Sequence, residues 1–280
     1  MSANALVLCY IERYSARDVA PFVESLRATG YAGDVVFFTY DVDDDCGRLF
    51  AENDVRQIHV SRLDMRRRIR IPDWLARVLG MSSKSLIPDR AINIRLSRLF
   101  RRLNLGKTWL AWTAAKVLWH CQAARFLYFQ EFLEGNPQYE SVLIADARDV
   151  VFQRDPFAFD MSDRWYIFEE YPATPLGQQR ENAGWVRSLY GPAVLDQLSN
   201  FPVLCVGLLL GRRRSLVRSL HTINEEIITN HIGWSTDQGV PNYFVRDGRL
   251  PEAEVVPYGS GPAMHVGIAP RESIRTDPQG

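Results

Sequence analysis

The first 63 residues alternate between apolar stretches of strand length and amphipathic stretches of helix length, and this alternation constrains the fold more than any other feature. "ALVLCYI" (Ala5 to Ile11) is apolar without a break. In the following "SARDVAPFVESLRATG", Ser15 and Asp18 stand three apart in the manner of a capping box. Val19, Phe22, Val23 and Leu26 then recur at helical spacing, and Gly30 supplies a stop. "GDVVFFTY" is a second strand, rich in β-branched and aromatic residues. A second helix begins within "DVDDDCGRLFAEN", and "RQIHVSRL" reads as a third strand. Strands apolar along their whole length must be covered on both faces, which the crossover helices of a parallel sheet achieve.

The expected fold class is therefore α/β: a Rossmann-type, mostly parallel sheet flanked by helices, forming one domain over 1–280. A long helical region, with room for a break, is expected from about Thr108 to Glu134, ended by Gly135, Asn136 and Pro137. Further strands are expected in "SVLIADARDVVF", "RWYIFEEY" (Arg164 to Tyr171), "FPVLCVGLLLG" (Phe201 to Gly211) and near "EVVPY". Helices are expected over Ser215 to Asn230 and Thr236 to Val245. The four cysteines, Cys9, Cys46, Cys121 and Cys205, lack C-x-x-C spacing, which argues against a zinc ribbon or disulfide scaffold and for a reducing compartment. "ALVLCYI" has no basic region before it and is too short for a span, so the expected location is cytoplasmic.

The formal net charge is zero, but it is unevenly spread. Residues 61–107 hold 13 Arg and Lys against three Asp, interleaved with Trp74, Leu75, Leu96, Leu99, Phe100 and Leu103. This stretch reads as a basic, amphipathic, partly helical insertion: either a solvated face paired with acids elsewhere, or a surface that meets anionic lipid on the inner face of the membrane. No nucleic-acid motif accompanies the charge, so nucleic acid is not an expected partner.

Chemistry is expected at "SVLIADARDVVFQRDPF" (Ser141 to Phe157), where an apolar strand climbs directly into Asp146. A buried carboxylate demands a partner. That partner is a cation, Arg148 or Arg125, or else a ligand, since ligands of open α/β sheets gather at the carboxyl ends of strands. A hard divalent cation, Mn²⁺ or Mg²⁺, needs one or two carboxylates together with substrate phosphate, which suits Asp146. The rival acids Asp41 and Asp43, in "DVDDD", read as solvated caps of the second helix.

"ARFLYFQEFLEGNPQYESVLIADARDVVFQRDPF" (Ala124 to Phe157) resembles the donor-site segment of GT-A-type glycosyltransferases, the nucleotide-diphospho-sugar transferases. "PVLCVGLLLG" (Pro202 to Gly211) looks like the later strand whose glycine lines the donor sugar. "STDQGVPNYF" (Ser235 to Phe244) looks like the Asp-Gln…Asn helix start that faces the sugar, and "AMHVG" (Ala263 to Gly267) like the C-terminal metal-binding His. The resemblance implies a GT-A-like fold and hexosyl transfer from a nucleotide-sugar donor to a glycan or lipid-linked acceptor, assisted by Mn²⁺ or Mg²⁺. It implies Asp146, Asp149 and His265 as metal ligands, Asp237 and Gln238 as catalytic residues addressing the sugar, and Arg125 and Gly207 at the donor. Tyr10 and Arg148 are expected beside the nucleotide, Arg148 because guanidinium engages phosphate bidentately. The chain reads D-A-R-D where an Asp-x-Asp motif is usual, so on a regular strand Asp149 points away from Asp146 unless the backbone turns between them.

Alternative roles stay open for several of these residues: an N-cap for Asp237, an ordinary loop His for His265. Two other functions compete. A metal-assisted nucleotidyltransferase calls for a Gly-rich loop after the first strand, and "CYIERYSARD" holds no glycine. A non-catalytic sugar-nucleotide or glycan-binding module needs only the fold. The absence of G-x-S-x-G argues against a nucleophilic hydrolase.

Overall fold

The computed structural model describes residues 4–62, 89–170 and 174–267. Its centre is a seven-stranded sheet in the order β3-β2-β1-β4-β7-β6-β8. The strands are β1 (Ala5–Glu12), β2 (Asp34–Tyr40), β3 (Val55–His59), β4 (Ser141–Ala145), β6 (Trp165–Glu169), β7 (Leu204–Arg212) and β8 (Ala253–Val256). All run parallel except β7, which is antiparallel to both of its neighbours, β4 and β6. An apolar sequence fixes burial and says nothing of direction, so the reversal of β7 lay beyond what its residues could show. A separate two-stranded ribbon pairs β5 (Val150–Phe152) with β9 (Ala263–His265).

β1 shows why the sheet needs two covers. Leu6, Leu8 and Tyr10 enter one core, while Val7, Cys9 and Ile11 enter the other. On the second face lie α1 (Ala16–Ala28), α2 (Asp44–Glu52) and the β5–β9 ribbon, with Phe22 at an edge-on 5.0 Å from Phe152. At the start of α1 the Asp18 carboxylate accepts from both the backbone N–H (3.0 Å) and the hydroxyl (2.7 Å) of Ser15, so Asp serves in the box where a longer acid is usual. Gly30 follows the helix at φ +85°, a conformation that glycine adopts without steric cost.

The first face is covered by α5 (Cys121–Gly135), α8 (Arg213–Thr229) and α9 (Thr236–Arg246). Outside them sit α3 (Asp89–Arg102) and α4 (Trp109–Leu118), joined to α5 and α8 through Phe100, Trp119, Leu127 and Ile228. The expected long helix from Thr108 is thus two, broken at Trp119 and His120. Of the basic stretch 61–107, residues 63–88 lie outside the described residues; the remainder is helical at α3, as expected.

The sequence reading assigns nothing between residues 171 and 200, yet α6 (Arg180–Tyr190) and α7 (Pro192–Leu198) lie there. Their signals were modest: Ala183, Val186 and Leu189 at three-residue spacing, and a Gly191-Pro192 break that starts α7 with proline. All four cysteines are free. Among the described residues no helix is long and apolar enough to cross a membrane.

Candidate active site

Side chains from five elements meet at one edge of the sheet. β4 and β6 end there, and β7, running the other way, begins there. Asp146 follows β4, Glu170 follows β6, and Leu204 to Gly207 open β7. Arg125 comes from the second turn of α5 and Asp237 from the first turn of α9.

Arg125 joins them. One terminal nitrogen binds an Asp146 carboxylate oxygen and the other an Asp237 oxygen at 3.0 Å. Burial works against its charge, but the Asp146 and Asp237 carboxylates hold Arg125 above its ordinary pKa. Of the two partners proposed for Asp146, the structure selects Arg125. Arg148 is excluded because β4 ends at Ala145 and residues 147–149 form a turn, which carries Arg148 outward. There its side chain is 59% exposed, lies 4.0 Å from the Asp18 carboxylate and stands 5.8 Å over the Tyr14 ring.

Asp237 is buried, with one oxygen on Arg125 and the other, Oδ1, without a hydrogen-bond partner. Burial pushes its pKa up; Arg125 opposes that, and the neighbouring Asp146 adds to it. It is not the N-cap of α9, a position held by Ser235 at φ +64°.

The start of β7 is opened by an irregularity. Phe168 pairs with Cys205 while Ile167 pairs with Leu209, so Val206, Gly207 and Leu208 have no partners on β6. Side chains fill the gap. Gln238 donates to the Leu204 carbonyl at 2.9 Å and accepts from the Val206 N–H at 3.4 Å, and Asn242 accepts from the Leu204 N–H at 2.8 Å. Asn242, which the resemblance turns toward a sugar, is occupied with backbone; it sits one helical turn after Gln238 and shares its task. Gly207 accepts from the Asp146 N–H at 2.8 Å, and a Cβ on it would fall 2.3 Å from Asp146 Oδ2. Only glycine lets the Asp146 carboxylate lie across this backbone.

Gln238 also donates to Glu170 at 3.1 Å. Burial pushes the Glu170 carboxyl up to about 7, against the pull of that hydrogen bond, with Asp146 adding to the rise. Glu170, Cys205 and His265 place one ligand atom each within 4.8 Å of one another. Burial, then the Glu170 and Asp146 carboxylates, raise the Cys205 thiol well above its usual range.

His265 reaches the site from β9, paired with Val150, and Val266 N–H donates to the Asp149 carbonyl at 2.7 Å. A Cβ on Gly267 would lie 3.0 Å from the His265 ring and 3.1 Å from the Asp149 carboxyl carbon, so both side chains border one small space. Burial lowers the pKa of His265 despite the Asp146 and Asp149 carboxylates, which favours the neutral ring. Its Nδ1 is buried without a hydrogen-bond partner. A neutral imidazole with an orphaned nitrogen beside carboxylates fits a divalent cation. Among the described residues the group with ligand atoms close enough to share an ion is Glu170, Cys205 and His265, while Asp149 borders the His265 ring and Asp146 is held by Arg125.

Tyr10 stands apart, inside the core with its ring 5.9 Å from Tyr128. Its neighbour Glu12 pairs with Arg62 at 3.4 Å. Asp43 caps α2 by accepting from Cys46 N–H at 2.9 Å, and Asp41 pairs with Arg13, so the acidic run serves local structure. Glu170 and Cys205 were the residues least visible beforehand. One ends an apolar strand as the second of two glutamates, and the other looks like an ordinary core cysteine.

No family model and no curated protein matches the sequence. Among solved structures the chain is similar to a galactosyltransferase, LgtC, in complex with donor and acceptor sugar analogues, with a TM-score of 0.42 and 12% identity over 90% of this chain and 73% of that one. It is similar to the glycosyltransferase GlyE of Streptococcus pneumoniae TIGR4 at the same TM-score and identity, over 91% of this chain and 45% of that one.

Proposed function

We propose that the protein transfers a hexose from a nucleotide-diphosphate-sugar donor to a glycan or lipid-linked acceptor, with the Asp146–Arg125–Asp237 cluster as the donor site. The observation that carries this reading is the orphaned Oδ1 of Asp237, a buried acceptor held in place by Arg125. An unsatisfied buried carboxylate oxygen costs on the order of 1–3 kcal/mol until a donor arrives, and a sugar hydroxyl is a donor of the right size. The GT-A resemblance of the motifs supports the same reading. Glycosyl transfer places negative charge on the departing diphosphate, and Arg148 is the exposed guanidinium on this rim able to meet it. Arg125 acts as a positioning residue, since both of its terminal nitrogens are committed.

Glu170, with its carboxyl near 7 and a hydrogen bond fixing its orientation, is suited to hold a proton beside the acceptor. A bound Mn²⁺ or Mg²⁺ would supply Lewis-acid charge to the diphosphate, with Asp146, Asp149 and His265 as the residues to hold it. The cytoplasmic location belongs to this proposal, since nucleotide-sugar donors and four free thiols both suit that compartment.

A thermal-shift panel of UDP-, GDP-, CDP- and dTDP-sugars, followed by donor hydrolysis and transfer assays, tests the reading. One donor is expected to raise Tm and to be turned over, and Asp146→Asn to lose turnover with the fold intact. Turnover in that variant at the wild-type rate refutes the site. Binding without turnover by the native protein leaves a sugar-nucleotide-binding module instead.

A further inference from the structure

The corner between α3 and α4 carries four of the six large apolar side chains exposed among the described residues: Trp109 at 79%, Leu110 at 61%, Leu103 at 55% and Leu99 at 46%. Scattered single exposures need no explanation, but this grouping within one helix–turn–helix corner does. From Ile92 to Leu110 the chain holds five cations, Arg95, Arg98, Arg101, Arg102 and Lys107, and no acid. Lys107 lies 3.5 Å from Glu225, while the four arginines form no ion pair among the described residues. Arg95, Arg98 and Arg102 fall on one helical stripe, and Leu99 and Leu103, a turn apart, lie alongside it.

We infer that this corner docks on an anionic lipid surface, with Trp109, Leu110 and Leu103 entering the headgroup region and the arginines of α3 lying over lipid phosphates. An indole beside leucines, rimmed by guanidinium groups, is the composition that interfacial helices present to a bilayer. A second copy of this chain is a poor occupant. A two-fold contact sets the same patch against itself, so four arginines would face four more.

The corner is built as a rigid piece. Phe100 packs on Trp119 at 5.8 Å, Asn93 donates to the Leu118 carbonyl at 2.7 Å, and His231 N–H donates to Ser97 Oγ at 2.7 Å. Gly106 is pressed against α8, where a Cβ would meet Thr229 at 2.6 Å. These anchors also tie the corner to the acid cluster. Leu118 leads into α5, which carries Arg125, and His231 leads into α9, which carries Asp237. Docking through α3 and α4 therefore engages a piece tied to the two helices that carry the proposed donor site. The docking itself rests on different residues and stands whether or not the donor reading does.

The test is flotation of the full chain with vesicles of phosphatidylcholine alone or with about 30% phosphatidylglycerol, at roughly 0.05 and 0.5 M salt. Binding is expected with the anionic vesicles and to weaken at high salt. Trp109→Ser with Leu110→Ser, and separately Arg98→Gln with Arg102→Gln, are each expected to lower partitioning about tenfold or more while Tm and donor binding stay at wild-type values. These side chains are exposed, so a folding defect is not the expected source of any loss. No flotation at low salt, equal flotation of wild type and both variants, or equal binding to neutral vesicles overturns the inference. So does a concentration-dependent dimer in sedimentation that the Trp109 and Leu110 changes abolish.

Discussion

Replacing Arg125 by methionine isolates what the buried cation does. Methionine keeps the length and helix propensity, so α5 is not the casualty. The change strands two carboxylates unequally. The Asp146 side chain is 27% exposed, and water replaces part of the lost interaction. The Asp237 side chain is 3% exposed, is bound by the Arg125 guanidinium, and already holds a second oxygen without a hydrogen-bond partner among the described residues. Removing one member of a buried ion pair costs about 3–5 kcal/mol, and nearly all of it falls on Asp237. Asp237 already has a raised pKa through burial; without Arg125 it rises further, and the folded state takes up a proton. An acid whose folded pKa exceeds its unfolded value of about 3.9 subtracts stability increasingly as pH rises above that value, until the folded pKa is passed. The full loss is therefore expected at pH 8 and a smaller one at pH 5.5. Urea unfolding followed by tryptophan fluorescence measures it. With m of about 2–3 kcal/mol/M, the pH 8 midpoint should fall by roughly 1–2 M. Adding Asp237→Asn to the variant should recover most of the loss, because it discharges the stranded group. A loss below about 1 kcal/mol, one independent of pH, or failure of that second change to rescue would refute the reasoning.

Three further outcomes follow from the same edge of the sheet. Gly207→Ala drives a methyl group into the Asp146 carboxylate and should cut transfer about 100-fold, with a stability loss of about 1–3 kcal/mol, measured by single-turnover kinetics and urea unfolding. Glu170→Gln removes a carboxyl whose pKa is raised to about 7; in chelator it should be more stable than wild type by about 3 kcal/mol at pH 8, with the advantage vanishing as pH falls toward 4.5. An advantage that grows as pH falls would show that burial is not the cause. Mn²⁺ should raise Tm in wild type and in Cys205→Ser but not in His265→Ala or Asp149→Asn; loss of the response in Cys205→Ser instead would assign the ion to the Glu170–Cys205–His265 group.

The need for a partner at Asp146 was legible because an apolar strand ending in an acid is a local statement about burial. Which partner answered was not legible. Choosing between Arg125 and Arg148 depends on where the backbone turns, and "ADARDV" reads equally well as a continued strand. The same turn takes Asp149 out of strand alternation, and its side chain borders the His265 ring. Asp237 and Gln238 were legible as a polar pair opening a helix. The work of Gln238 was hidden because it answers an irregularity in β7 that no periodicity reveals. Likewise β5 and β9 are three residues each, too short to show an alternation, yet their pairing brings His265 to the acids.

These pieces favour a division of labour within the cluster. A guanidinium that touched substrate would have to stay accessible, and Arg125 is buried with both ends of its fork occupied. Its commitment fixes Asp146 and Asp237, carried by different elements, in one geometry before any ligand arrives. On the proposed reading, that removes the reorganisation a flexible pair would undergo during reaction. Two buried polar atoms near this hub have no hydrogen-bond partner among the described residues, Oδ1 of Asp237 and Nδ1 of His265, and the second oxygen of Asp146 lies over Gly207. A site with unsatisfied buried acceptors discriminates by what it rejects, since a ligand lacking the matching hydroxyl leaves the acceptor bare, at a cost of several powers of ten in specificity. On the proposed reading, selectivity for the sugar falls to Asp237 and its fixed orientation, and charge toward the leaving group to Arg148 at the exposed rim.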